Sequence, residues 1–322
     1  MELLGLHHIS GITGKVAANY NFLAATLGLR LVKKTVNQDD VRAYHLYYAD
    51  TRGTPGTNVT YFDYAGSPPE RQGNNSITRT GLRVPPGSLD WWRARLEAAG
   101  SQVGQITELD GRETLQFTDL EGGRYALVAD GGPSGAVPWT HTVDLEHAIL
   151  GLGPVWLTVP RLEPTARVLT DVMGMRAVRE YASPHSKIYG VTVFEMHTGG
   201  AGAEVHVEVR PDLPPARSGA GAMHHVAFRV ADASAHREWF EHLRAQGVQT
   251  SAQIDRHYFK ALYFREPNGV LFEISTDDPG FATDEREDQL GTRLALPPFL
   301  EDRRADIEAH LTPLEFARQD MS

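Results

Sequence analysis

Apolar residues recur at three- and four-residue spacing in four stretches of the chain, KVAANYNFLAATLG, SLDWWRARLEAAG, EPTARVLTDVMG and SAHREWFEHLRAQG. Each stretch stops at a glycine, which predicts four amphipathic helices ended by Gly28, Gly100, Gly174 and Gly247. The four glycines fall 72, 74 and 73 residues apart, too constant a period for unrelated segments. A short apolar strand precedes each helix and three β-rich runs follow it, VRAYHLYYAD and TNVTYFDY among them, so each unit is predicted as β-α-β-β-β. The runs GSPPERQGNN, ADGGPSGAVPW and DLPPARSGAGA are rich in Gly, Pro and Ser and set unit boundaries near 70, 140 and 218. Four strands are too few to close a barrel, so the units are expected to pair, each pair curling around a shared concave face. The expected fold is α+β, with four βαβββ modules forming two curved-sheet cups.

Composition narrows what such cups could hold. The 322 residues include 41 acidic and 31 basic side chains, a net charge of −10 that repels nucleic acid and anionic membrane and favours a small-molecule partner. With no cysteine there is no disulfide, no thiolate nucleophile, no Fe–S cluster and no Cys-type zinc site, so any metal must be held by His, Asp or Glu. The opening MELLGLHHIS lacks the pattern of a secretory signal, and a cytoplasmic location is expected.

The second halves of units two and four align without gaps, FTDLEGGRYALVAD on FREPNGVLFEISTD, and the differences are chemical. Where unit four has Glu273, unit two has Ala126; where unit four has His224 and His225, unit two has Thr78 and Arg79, and unit three has Gly153 and Pro154. Histidine doublets head units one and four alone, as His7 and His8 and as His224 and His225. Neighbours on a strand face opposite ways, so one histidine of each doublet points into a cup. Glu273 is a carboxylate in an apolar strand and needs a partner there. Two imidazoles and a carboxylate converging on one concavity make a facial triad suited to Fe(II), with positions left open for substrate and O2. A single strand histidine is usually packed or hydrated, and it is the repetition of the doublet that favours metal. This reading pairs unit one with four and two with three. A rival pairs unit three with four and completes the site with Glu208, as in a glyoxalase-type isomerase, leaving His8 structural; Gly153 and Pro154 then stand where a further ligand is needed. A second rival is a metal-free protein that binds small aromatics.

The four units, the two doublets, Glu273 and the tail segment LALPPFLEDRRADIE together resemble the vicinal-oxygen-chelate superfamily of glyoxalases, fosfomycin-resistance proteins and extradiol dioxygenases. Over essentially the whole chain the resemblance is to its hydroquinone ring-cleaving dioxygenases. It implies that His8, His225 and Glu273 bind the metal and that His7 and His224 support those ligands or touch substrate. It also implies catalytic roles for Arg256 and Tyr263, and Ser10 stands where some relatives have Thr. The implied activity is Fe(II)-dependent ring cleavage of para-dihydroxy aromatics, with O2 as co-substrate and Mn(II) as the other metal that fits. In that chemistry the metal acidifies a phenol, a His or Tyr moves the proton, and Arg stabilises oxyanion charge. The chain then divides into an N-terminal domain of modules one and two (1–140), a C-terminal domain of modules three and four (141–283) and a tail (284–322) with a short helix. The tail is expected to cover a cup mouth or meet a second subunit, in a homodimer or higher homo-oligomer. His257 is read as a rim residue, and the remaining histidines, His45 among them, as surface or core.

Overall fold

The computed structural model describes residues 1–132 and 135–314. Module one runs β1 (Leu6–Thr13), α1 (Val16–Tyr20), β2 (Arg30–Val36), β3 (Tyr44–Ala49) and β4 (Asn58–Asp63). Module two is β5 (Ser76–Val84), α2 (Leu89–Ala98), β6 (Val103–Leu109), β7 (Arg112–Thr118) and β8 (Arg124–Ala129). Module three is β9 (Gly151–Val159), α3 (Leu162–Arg167), β10 (Arg176–Ala182), β11 (Gly190–Glu195) and β12 (Glu204–Val209). Module four is β13 (Met223–Val230), α4 (Ala233–Ala245), β14 (Ile254–Asp255), β15 (Lys260–Arg265) and β16 (Leu271–Thr276). The predicted repeat is thus realised four times.

The glycines end the helices for a backbone reason. Gly28, Gly100, Gly174 and Gly247 have φ of +73°, +83°, +70° and +76°, the left-handed region in which a Cβ is strained. The turn each makes lets the next backbone N–H reach back into the helix, as Leu29 does to Leu23 and Val248 to Leu243. In modules one and three the helix widens into π-helical turns, Asn21–Thr26 and Val168–Val172, before its glycine.

Two eight-stranded sheets result. The first has the order β14-β15-β16-β13-β1-β4-β3-β2 and joins modules one and four; the second, β10-β11-β12-β9-β5-β8-β7-β6, joins modules two and three. In each, the head strands of the two modules pair antiparallel at the centre, β1 with β13 and β5 with β9. The pairing is nested, and each sheet takes one module from either side of residue 140. The hydroxyls of Tyr61 and Tyr125 join the two sheets through a buried hydrogen bond. Helix α4 lies along β15 and β16 and buries Trp239 and Leu243; α2 lies along β6 and β7 and buries Trp92 and Leu96.

The tail closes on the first sheet. Ala295 N–H donates to the Lys34 carbonyl at the β2 edge (2.9 Å), and the fully buried Lys33 ammonium is gripped by Asp284 and Glu285. Lys33 also lies over the Tyr258 ring, 4.7 Å from its centre. Gly291 passes so close to β2 that a Cβ there would stand 2.0 Å from the Leu31 carbonyl oxygen. The expected short helix, α5 (Arg304–His310), buries Ile307, with Leu311 buried just beyond it. The last part of the expected tail, 315–322, lies outside the described residues. Among the described residues no helix is long and apolar enough to cross a membrane.

Candidate metal centre and active site

Strand register builds the site. Pairing of β1 with β13 sets His8 opposite Ala227, pairing of β13 with β16 sets Ala227 opposite Glu273, and β15 sets Tyr263 opposite Glu273. His8, Ala227, Glu273 and Tyr263 therefore form one row across the first cup, and the small Ala227 leaves room above it. His225, two residues before Ala227, enters from the next row, which runs His225, Ser10, Thr60, Tyr47 across β13, β1, β4 and β3.

Three atoms converge above Ala227. His225 Nε2 lies 2.9 Å and His8 Nε2 3.4 Å from Glu273 Oε2, and the two imidazole nitrogens are 3.2 Å apart. Adjacent corners of an octahedron with bonds near 2.2 Å stand about 3.1 Å apart, so this spacing suits three neighbouring positions around one cation. All three residues are buried, Glu273 completely. Its Oε1 accepts a hydrogen bond from Ser275 Oγ (2.6 Å), while Oε2 is buried with no aligned donor. Burial alone would raise the Glu273 pKa, but the His8 and His225 imidazoles outweigh it and hold the carboxylate well below its usual range.

The doublet fixes the proton on His8. His7 Nε2 faces the Thr276 carbonyl at 3.0 Å and must donate to it, and burial, with His8 beside it, pushes the His7 pKa down to about 3, so the ring is neutral. Its Nδ1 is then an acceptor and takes the proton of His8 Nδ1 at 2.9 Å, leaving a lone pair on His8 Nε2. His224 stands behind His225, Nδ1 to Nδ1 at 2.8 Å, from an exposed position at the rim. A buried anionic oxygen beside a nitrogen lone pair calls for a cation, and the residues present fit a divalent metal.

The triad opens on a narrow cleft walled by His45, Tyr47, Phe62, Arg256, Phe259 and Tyr263. Arg256 donates to Asp39 Oδ2 (2.9 Å) and lies over the Tyr263 ring, 5.5 Å from its centre. Burial opposes the Arg256 charge, but Tyr263 and Asp39 more than offset it and its pKa rises; burial and the nearby Glu273 raise Tyr263 well above its ordinary value. His45 is held well below its ordinary value by burial, with His8 and His225 adding to it. It bonds Tyr47 Oη through Nδ1 and Thr60 Oγ1 through Nε2, both at 2.9 Å, and Thr60 continues to Ser10 (2.7 Å).

The structure thus brings His8, His225, Glu273, Arg256 and Tyr263 together, with His7 and His224 directly behind the two imidazoles. Glu208 lies in β12 of the other sheet, bound to Ser183, which removes the rival arrangement with His225 and Glu273. His257, expected at the rim, faces Asp284 of the tail at 3.5 Å. His45 is the residue that reading by repeats missed. It has no counterpart in the doublets, yet the alternation in RAYHLYYA, which puts His45 and Tyr47 on one strand face, was there to be used.

Comparison with known proteins agrees with this geometry. The sequence profile described as Glyoxalase/Bleomycin resistance protein/Dioxygenase superfamily matches residues 147–274. The chain is 44% identical over 318 residues to the Bacillus subtilis (strain 168) protein named "Putative ring-cleaving dioxygenase MhqA", covering 98% of this chain and 100% of that one. It is 31% identical over 308 residues to the chlorohydroquinone/hydroquinone 1,2-dioxygenase of Sphingobium indicum, covering 92% of each. The crystal structure of a "putative dioxygenase" from Bacillus subtilis subsp. subtilis str. 168 superposes with a TM-score of 0.90 at 34% identity over 98% of both chains. With two βαβββ pairs, a buried histidine–carboxylate triad and relatives matched end to end, the chain belongs to the glyoxalase/bleomycin resistance protein/dioxygenase superfamily and, within it, to the ring-cleaving dioxygenases.

Proposed function

We propose that the protein cleaves the ring of para-dihydroxy aromatics with O2, using Fe(II) held by His8, His225 and Glu273. The observation that carries this reading is the buried, undonated Oε2 of Glu273 facing two imidazole nitrogens at the floor of an aromatic cleft. Iron held there would acidify a phenolic hydroxyl and provide a path for electrons from the ring to dioxygen. The chain's own residues do the rest. Phe62 and Phe259 present flat apolar walls that orient a single ring and keep water from its faces. Arg256, charged at every working pH, draws a phenolate in and stabilises negative charge as it develops on oxygen. Tyr263 stays protonated and is a hydrogen-bond donor to that oxygen, while His45, kept neutral with both ring nitrogens bonded to Tyr47 and Thr60, fixes the position of those hydroxyls in the cleft wall. The para-diol assignment is supported by the relative that acts on chlorohydroquinone and hydroquinone.

The test is oxygen uptake by protein loaded anaerobically with Fe(II) and offered methylhydroquinone, with catechol and metal-free protein as comparators. Equimolar uptake that depends on iron and is weak with catechol is expected. Uptake with catechol alone would reassign the substrate, and no uptake by iron-loaded protein with either diol would remove the oxygenase reading.

A further inference from the structure

The second cup has the strand order of the first and none of its ligands. Arg79 stands at the alignment position of His225, and Ala126 at that of Glu273. Arg79 lies opposite Trp156 of β9, and the pairing of Thr80 with Tyr125 brings Arg124, at the start of β8, beside it. Two guanidinium groups thus stand next to each other on adjacent strands. Arg79 is only 9% exposed. Its Nη1 meets His185 Nε2 at 3.3 Å, but its Nε is buried without a partner, and so is Nη2 of Arg124. Among the described residues no carboxylate lies within 4.0 Å of either group. Glu208, which acts on both at longer range, is itself held by Ser183 and lies 3.8 Å from Arg210. Glu70 reaches Arg124 alone, also from beyond that distance. Burial, with the neighbouring Arg124 charge, pushes the Arg79 pKa down to about 10.

Like charges side by side across a sheet repel, and a desolvated guanidinium with unused N–H groups is costly until an anion joins it. Beside the pair lies a small apolar patch of Trp156, Ala126 and Val128. Ala126, where the first cup has a carboxylate, brings the two arginines no charge of its own. We propose that the second cup is a binding site for a small carboxylate, held between Arg79 and Arg124 with its apolar part against Trp156. The fork of a guanidinium matches the two oxygens of a carboxylate, and two forks meeting one anion satisfy the donors that the fold leaves unused. The duplicated position that binds a cation in one cup would then bind an anion in the other.

The test is calorimetric titration of benzoate into the whole protein at fixed ionic strength, repeated with inorganic phosphate and with the variants Arg79→Met, Arg124→Met and His8→Ala. Benzoate is expected to bind, with affinity lowered at least about tenfold by either arginine substitution. His8→Ala, altered in the first cup only, should bind it as the unsubstituted protein does. Affinity unchanged in both arginine variants, or lost in His8→Ala, would overturn the site. Phosphate binding without benzoate binding would overturn the carboxylate assignment. Should Arg79→Met not fold, the partly exposed Arg124→Met decides the question alone.

Discussion

Both cups contain a group of acid and imidazole side chains close enough to share one ion, His8, His225 and Glu273 in the first and Asp110, Glu204 and His206 in the second. Their difference lies in what already occupies the carboxylates. In the second cup Arg112 binds both oxygens of Glu204 (2.7 and 2.8 Å), Arg179 binds Glu204, Asp110 and Glu195, and His206 Nε2 donates to Glu204 Oε2 at 3.0 Å. His206 Nδ1 is turned to Tyr181 Oη, which in turn accepts from Trp156 Nε1, so no nitrogen lone pair faces the acids. In the first cup Glu273 Oε2 has no aligned donor, and the tautomer of His8 leaves a lone pair toward it. Proximity of ligand-type residues therefore does not mark a metal site; an unneutralised oxygen beside a free lone pair does.

The sharpest way to break that contrast is to exchange the cups' fates. His8→Ala should lose its metal and lower turnover by more than about a thousandfold, while His206→Ala keeps full metal stoichiometry, both read by elemental analysis after Fe(II) loading. Metal retained in His8→Ala and lost from His206→Ala would reverse the assignment. Next in size is Arg179→Leu, which leaves Asp110 and Glu204 buried with too little positive charge. A loss of about 3 kcal/mol in urea unfolding is expected, with turnover per folded molecule unchanged. Arg256→Leu should do the opposite, lowering turnover roughly a hundredfold while metal content and unfolding midpoint stay as they are.

The smallest expected effect is on acid stability. Burial, more than the neighbouring charges, lowers the pKa of His7, His45, His224 and His225 in the first cup and of His185 and His206 in the second. A depressed histidine favours the fold above its unfolded pKa of about 6.5 and loses that contribution as pH falls toward the folded value, because the unfolded chain then binds more protons. With four such residues against two, metal-free protein should loosen first around β1 and β13 as pH drops from about 7 to 5. Hydrogen exchange corrected for its intrinsic pH dependence reads this directly, and earlier opening of β9 and β12 would contradict it.

Much of this was legible in the chain. The period of the terminating glycines marks the four modules because each helix must end in a left-handed turn, and the doublets with Glu273 mark the cluster proposed to hold metal because a strand rarely spends a buried position on a carboxylate. What remained hidden was non-local. Nothing local in RLVKKTV marks a buried cation, yet Lys33 is fully buried because its acids arrive from 251 and 252 residues further on. Strand alternation alone could not say which histidine of a doublet faces inward, since the β1 register shifts between Leu6 and His8. Nor could it show the arginines that neutralise the second cup, which come from β7 and β10, six places apart in one sheet's order.

The nested pairing has a consequence for how the chain comes into being. A ribosome delivers residues in order, and the second cup is complete once residues 76–209 have emerged. Module one, made earlier, must wait with the β1 edge unpaired until β13 appears, for His8 and His225 are 217 residues apart. The proposed metal centre is thus assembled after the second cup, with only the tail still to dock on β2. A translation product that stops before module four carries a finished inner cup and only one of the three residues proposed to hold the metal, so an interrupted synthesis yields no half-formed centre.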